Sequence, residues 1–141
     1  MRAINEAILH YSATPEGKPF DVKDIRDWHV NGNGWSDVGY HFVIKLDGTI
    51  QKGRPLEKTG AHCKGHNRGT VGICYIGGGI KNGKDTRTEE QKESLDLLLR
   101  DLIKDYGILK ISGHNEYSTK KCPGFDVPQE YSYLIKDPKA Y

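Results

Sequence analysis

Apolar positions along the chain follow two different periods, and the segments of shorter period predict strands. Ala7–Tyr11 is a short apolar run that ends in polar and turn residues, as strands commonly do. Thr70–Ile76 is rich in β-branched and aromatic residues and precedes three glycines, which indicates a buried strand followed by a loop. Tyr40–Leu46 and Thr49–Lys52 are joined by an Asp-Gly pair, so we predict a hairpin there.

Helical spacing marks two further segments. The longer helix is predicted from about Thr88 to about Tyr106, because apolar residues recur there at intervals of three and four: Leu95, Leu98, Leu99, Leu102, Ile103 and Tyr106. Thr88 begins a capping-box pattern and Gly107 stands where a helix commonly ends. A shorter helix is predicted to begin after Asp21 and to end in the Asn-Gly repeat at 31–34.

Strands that alternate with helical segments predict an α/β fold with a central mixed β-sheet flanked by helices. The length of 141 residues fits one compact domain, so we expect residues 1–141 to form a single domain. Ligands of such sheets bind beyond the strand ends, where loops converge. We therefore expect a cleft at one end of the sheet, formed by His10 and the loop from His114 to Cys122.

Composition narrows the classes of function. Twenty-one basic and nineteen acidic residues give a net charge of +2, too small to predict a nucleic-acid partner. We expect no membrane span, because the chain has no apolar run of about 18 residues. The first residues include Asn5 and Glu6 and lack the apolar core of a secretion signal, so synthesis in the cytoplasm is expected. In a reducing compartment the three cysteines stay free or bind metal.

Three residues from distant parts of the chain can together bind a metal ion. Catalytic zinc sites use three imidazole, thiolate or carboxylate ligands and leave the fourth position to water. His10, His114 and Cys122 can supply such a set, and Pro123-Gly124 turns the chain directly after the thiol. Spacing alone leaves other interpretations open: His10 as a strand-end histidine bonded to backbone, and Cys122 as a small buried apolar residue.

Four stretches carry a resemblance to a known family: "HYSAT", "DIRDWHVNGNGWSDVGYHFVIKLDGTI", "GAHCKGHNRGTVGICYIGG" and "GHNEYSTKKCPGFD". In this order they resemble the zinc-dependent N-acetylmuramoyl-L-alanine amidases, a family of phage lysozyme-amidases and peptidoglycan recognition proteins. The resemblance runs from about Ile8 to about Asp126. It implies that His10, His114 and Cys122 bind zinc. The implied reaction is hydrolysis of the amide between N-acetylmuramic acid and L-alanine in peptidoglycan.

The resemblance also implies roles for residues around the metal. Tyr40 and Lys120 would flank the reacting water, and His62 and Asn67 would contact the peptide stem or the sugar. A thiolate ligand leaves zinc with less positive charge, so a cation such as Lys120 would help to stabilise the developing oxyanion. Lys121 is expected to be a solvated surface residue. Tyr40 can also be read as strand packing, because a tyrosine that opens a strand commonly packs across the sheet.

Several alternatives remain open at this level. A non-catalytic peptidoglycan-binding module of the same fold would typically lack the cysteine ligand. A structural zinc site would need a fourth protein ligand, such as His62 or His66. We expect a monomer that reaches the cell wall as a phage endolysin or as an injected bacterial effector. Some phage members also bind an RNA polymerase through their amino-terminal region, a role that we do not predict.

Overall fold

The sheet at the centre of the protein contains five strands. The computed structural model describes residues 1–136. Its strands are β1 (Glu6–Tyr11), β2 (Phe42–Ile44), β3 (Ile50–Lys52), β4 (Thr70–Tyr75) and β5 (Lys110–Gly113). They lie in the order β3-β2-β4-β1-β5. All neighbouring pairs are parallel except β2 and β3, which form the antiparallel hairpin. The predicted mixed sheet is confirmed.

Within residues 1–136, four α-helices accompany the sheet: α1 (Val22–Asp27), α2 (Glu89–Tyr106), α3 (Val127–Tyr131) and α4 (Tyr133–Lys136). Helix α2 begins at the predicted capping box, in which the Thr88 side chain accepts from the Gln91 N–H, and it ends at Gly107 with φ of 67°. Helix α1 begins at the Asp21 cap as predicted. It is shorter than expected, because the chain continues from Trp28 to Gly32 as a π-helical turn.

The two faces of the sheet bury different apolar clusters. One face packs against α2, α3 and α4, and its cluster includes Leu9, Ile73, Leu99 and Leu134, each at most 1% exposed. The opposite face packs against α1 through Val22, Ile25, Val43, Cys74 and Ile76. Neighbouring residues of a strand point to opposite faces, so Leu9 enters the first cluster and His10 faces the α1 side. Of the predicted helical stripe, only Tyr106 at the end of α2 is exposed.

The strands differ from the sequence prediction in two places. Strand β2 is shorter than the predicted Tyr40–Leu46, because the carbonyls of Tyr40 and His41 bond to the N–H groups of Arg54 and Gly53 beyond the regular ladder. Strand β5 was not predicted, since its four residues carry little periodicity and its pairing with β1 is distant in sequence.

Among the described helices, none combines the length and the apolar character needed to cross a bilayer.

The register of β1 and β5 determines where the site forms. Leu9 pairs with Gly113 in the parallel ladder, so the next residues, His10 and His114, lie side by side at the carboxyl ends of their strands. Their ring centroids are 4.7 Å apart. The cleft predicted at one end of the sheet therefore begins with two adjacent imidazoles.

Candidate metal centre and active-site cleft

Three potential ligands converge at this end of the sheet. One nitrogen from each of His10 and His114 and the Sγ of Cys122 lie within 4.8 Å of one another. His10 and Cys122 are buried and His114 is half-buried. Across residues 1–136 no other group of three or more histidine, cysteine or acidic side chains is close enough to bind one ion. The structure thus brings together the three residues that the sequence singled out.

The segment that carries Cys122 is held from two sides. The Tyr75 hydroxyl donates to the carbonyl of Pro123 at 2.7 Å, and the Tyr11 N–H donates to the Cys122 Sγ at 3.1 Å. The guanidinium of Arg87 lies 3.5 Å above the ring of Phe125 and pairs with Asp85. These contacts hold the thiol and the segment that follows it. The segment between His114 and Cys122 contains one short 3₁₀ turn, His114–Glu116, and is otherwise irregular, close to the expectation.

The donor set fits zinc. Zinc bonds imidazole nitrogen at about 2.0 to 2.1 Å and thiolate sulfur at about 2.3 Å, so ligand atoms on a tetrahedral ion lie about 3.5 Å apart. The ligand atoms of His10, His114 and Cys122, which lie within 4.8 Å of one another, are close to that spacing. Two nitrogens and one sulfur from three residues also leave one coordination position for water, as in catalytic zinc sites. A hard cation such as magnesium would require oxygen ligands, which this set lacks.

Burial has the largest effect on the pKa values of the three candidate ligands. Burial lowers the pKa of His10 well below 6.5, and the nearby His62, His114 and Lys120 act in the same direction. Burial and Lys120 also lower the pKa of His114. Both imidazoles are therefore neutral at pH 7, the form that binds metal. Burial raises the pKa of the Cys122 thiol to about 12, although the Tyr11 N–H and Lys120 oppose this shift.

A chain of hydrogen bonds runs from His10 through His62 to Thr70. His10 Nε2 lies 2.9 Å from His62 Nδ1, and His62 Nε2 lies 3.2 Å from the Thr70 hydroxyl. The same hydroxyl donates to the carbonyl of His66 at 2.7 Å. Burial, with His41 and His114 nearby, lowers the pKa of His62 to about 3, so its ring is neutral. Neither His62 nor His66 belongs to the group of three, so residues 1–136 offer no fourth protein ligand for a structural zinc site.

Tyr40 lies beside the metal centre. Its ring centroid is 5.1 Å from that of His10, and it also packs against the apolar cluster under α1. Burial, together with the thiols of Cys74 and Cys122, raises the pKa of Tyr40 well above 10. The phenol is therefore protonated at neutral pH and can donate a hydrogen bond. Both interpretations of this residue, packing and site, are compatible with its position.

A cavity of about 370 Å³ opens beside His114. It is lined by Trp35, Ala61, His62, Cys63, Lys64, Asn67, His114 and Lys120. Lys120 is exposed, and its charge acts on His10, His114 and Cys122. Lys121 does not line this cavity. A side chain that is solvated in the free protein and adjacent to the ligands is well placed to meet a substrate atom.

The residues predicted to contact substrate line the cavity but also have partners within the protein. Asn67 Oδ1 accepts from the N–H groups of His62 and Cys63 at 2.8 and 2.9 Å, so it shapes the loop that holds both. Trp35, which was not among the predicted site residues, also lines the cavity and is 37% exposed. An exposed tryptophan in a glycine-rich polar loop was the available signal.

Two further histidines have partners within the protein, and two further cysteines are buried. His41 Nδ1 accepts from the Gly72 N–H at 3.0 Å, and His66 stacks on Tyr117 with centroids 3.8 Å apart. Cys63 and Cys74 are buried free thiols, one of the two states expected for the cysteines. None of these four side chains belongs to the metal-binding group.

Comparisons with known proteins agree with this geometry. The endolysin of Enterobacteria phage T3 is 43% identical over 129 residues, which cover 89% of this chain and 85% of that protein. Peptidoglycan-recognition protein LB of Drosophila melanogaster is 36% identical over 131 residues, covering 83% and 53% of the two chains. The solved structure of the N-acetylmuramoyl-L-alanine amidase LysC from Clostridium intestinale URNW superposes with a TM-score of 0.80 at 30% identity, covering 96% and 87%.

A family profile also matches most of the chain. The profile described as N-acetylmuramoyl-L-alanine amidase matches residues 1–125, a range that includes both histidines and the cysteine of the metal centre. The resemblance noted in the sequence is confirmed by this match, by the endolysin and by the shared fold. The chain belongs to the N-acetylmuramoyl-L-alanine amidase family.

Proposed function

We propose that the protein is a zinc-dependent amidase that hydrolyses the bond between N-acetylmuramic acid and L-alanine in bacterial peptidoglycan. The observation that carries this proposal is the convergence of His10, His114 and Cys122 beside an open cavity. Endolysin and amidase relatives support peptidoglycan amidase activity. When bound, zinc supplies an acidified water and polarises the amide carbonyl.

The surrounding residues have separable tasks in this proposal. His10, His114 and Cys122 would hold the ion, with the imidazoles already neutral and the thiol losing its proton on binding. Lys120 would donate to the oxygen of the scissile carbonyl as negative charge develops there. The protonated Tyr40 phenol would donate to the same region or orient the water. His62 and Asn67 would shape the wall of the substrate cavity, where Trp35 offers an aromatic face.

The rival function is a binding module that holds peptidoglycan without cutting it. Peptidoglycan recognition proteins are related in sequence and share the fold, which leaves this alternative open. A binding module has no need for a buried thiol beside two neutral imidazoles. The presence of Cys122 in the group of three therefore favours catalysis.

The test measures which bond is cut. Purified cell walls are incubated with the protein, and new amino groups on alanine are counted alongside new reducing sugar ends. We expect alanine amino groups to appear without reducing ends, to disappear after treatment with a chelator, and to return when zinc is added. Walls that bind the protein but release no amino groups would support the binding module. New reducing ends would indicate a glycosidase instead.

A further inference from the structure

We propose that His62 and Thr70 form a positioning pair that sets the tautomer of His10 and thereby presents its Nδ1 to the metal. This inference rests on the proposed zinc function and adds a residue pair outside the three ligands. An imidazole has one protonated and one unprotonated nitrogen when neutral, and only the unprotonated nitrogen can bind a metal. The neighbours of His10 therefore decide which nitrogen is available.

The direction of the hydrogen bonds can be followed from the far end of the chain. The Thr70 hydroxyl has a single proton and lies 2.7 Å from the carbonyl of His66 and 3.1 Å from that of Asn67. Carbonyl oxygens only accept, so the proton of Thr70 is directed to one of them. The hydroxyl oxygen then acts as an acceptor for His62 Nε2–H, 3.2 Å away.

The tautomer of His62 in turn determines the tautomer of His10. With its proton on Nε2, the neutral His62 ring has an unprotonated Nδ1, which accepts from His10 Nε2–H at 2.9 Å. His10 then carries its proton on Nε2 and leaves Nδ1 free. The opposite arrangement would protonate His10 on Nδ1 and would leave His62 Nε2 without a donor from Thr70. A metal ligand that donates its second nitrogen to a partner is the usual arrangement in protein sites.

The backbone is built to hold His62 in this place. The ring of His62 packs over Gly72 of β4, where an added Cβ would lie 2.5 Å from His62 Cγ. The N–H of His62 donates to Asn67 Oδ1 at 2.8 Å, and Thr70 is only 3% exposed. Both ring nitrogens of His62 are thus engaged within the protein. No ring nitrogen remains for a substrate, so a positioning role suits His62 better than a polar contact to the peptide stem.

The main experiment compares zinc affinities, measured by competition with a chromophoric chelator, in the full-length protein. His62→Leu removes the acceptor for His10 Nε2–H and should weaken zinc binding by about 10- to 100-fold, the usual effect of losing such a partner. His62→Asn places an amide oxygen near the position of Nδ1 and should restore most of the affinity. His66→Ala removes an imidazole from the same loop without touching His10, and it should bind zinc as the parental protein does.

A second variant pair tests the far end of the chain. Thr70→Val removes the acceptor for His62 Nε2–H and should weaken zinc binding, whereas Thr70→Ser keeps the hydroxyl and should not. Long-range ¹H–¹⁵N spectra of the zinc-loaded protein report the tautomers directly. We expect the proton of His10 on Nε2, and the proton of His62 on Nε2 as well.

The outcomes separate this inference from the proposed function. If the parental protein binds zinc and cleaves walls while His62→Leu binds zinc equally well, the positioning role is refuted and the amidase proposal stands. A proton on His10 Nδ1 in the zinc-loaded protein has the same meaning. If the parental protein binds no zinc, both proposals fail.

Discussion

Replacing Lys120 by methionine tests the role of its charge while preserving the length of the side chain. Lys120 lines the cavity beside His114, and its charge acts on all three candidate metal ligands. It is exposed in the free protein, so water screens it there. A bound substrate would displace part of that water and strengthen the interaction of Lys120 with a developing oxyanion.

The expected magnitude follows from this change in surroundings. Two unit charges about 4 Å apart interact by about 1 kcal/mol in water and by about 4 kcal/mol at the effective dielectric of a partly enclosed protein site. These limits correspond to roughly 5-fold and 1,000-fold in rate. Loss of a single oxyanion donor commonly costs about 100- to 1,000-fold. Because Lys120 is exposed, we expect the lower end, a decrease in kcat of about 100-fold.

The assay measures the rate of alanine amino-group release together with zinc content. Lys120→Met should keep one zinc per chain, because the ammonium repels a cation and its removal does not weaken binding of the metal. Lys121→Met is the matched control: it removes the same charge from the adjacent residue, which does not line the cavity. The control should cleave at close to the parental rate. A Lys120→Met protein that cleaves at the parental rate, or that loses zinc, would refute the oxyanion role.

Three other residues, Cys122, Tyr40 and His41, give further predictions. Cys122→Ser should lose zinc and activity together, because a hydroxyl is a much poorer ligand than a thiolate; metal analysis of the purified variant that still finds one zinc would contradict this. Tyr40→Phe keeps the ring beside His10 and should retain zinc while kcat falls by about 100-fold; an unchanged kcat would assign Tyr40 to packing alone. Burial lowers the pKa of His41 from 6.5 to about 4, so below pH 6.5 the unfolded chain takes up a proton there that the folded chain does not. The metal-free protein should therefore lose up to about 3 kcal/mol from this group as pH falls through that window. Urea unfolding at pH 7 and at about pH 4.5 measures the loss; His41→Gln should reduce it, and an equal loss in the variant would contradict the assignment.

Local signals in the sequence were sufficient for the longest elements. Helix α2 has its apolar stripe, its capping box at Thr88 and its terminal Gly107, and each of these signals is contained within a few residues. Strands β1 and β4 are apolar on both faces, as buried parallel strands usually are. Such elements can be predicted because the information that specifies them is local.

Elements specified by distant contacts were missed. Strand β5 exists because Lys110–Gly113 pairs with β1, more than 100 residues away in sequence. Those four residues carry no local pattern that predicts a strand. The π-helical turn after α1 could not be predicted either. Its residues continue the helical pattern, and only their backbone hydrogen bonds distinguish a π-helix from an α-helix.

The candidate site also combines residues that the sequence predicts with residues whose part depends on the fold. His10, His114 and Cys122 were predicted because ligand chemistry is carried by residue type and because the surrounding stretches resemble a family. The second role of His62 was not predicted, since it depends on the space above Gly72 and on the Thr70 hydroxyl. Trp35 was likewise overlooked, because only the fold brings its loop to the cavity. Residue types predict which side chains can bind a metal, whereas the residues that contact and position those side chains are determined by the packing of the fold.

X-ray absorption at the zinc edge of the purified protein examines the metal centre most directly. We expect one zinc per chain with a single sulfur neighbour at about 2.3 Å and nitrogen or oxygen neighbours at about 2.0 to 2.1 Å. The sulfur signal should vanish in any zinc retained by Cys122→Ser. A zinc spectrum without sulfur, or a protein that releases alanine amino groups with no metal bound, would contradict the account.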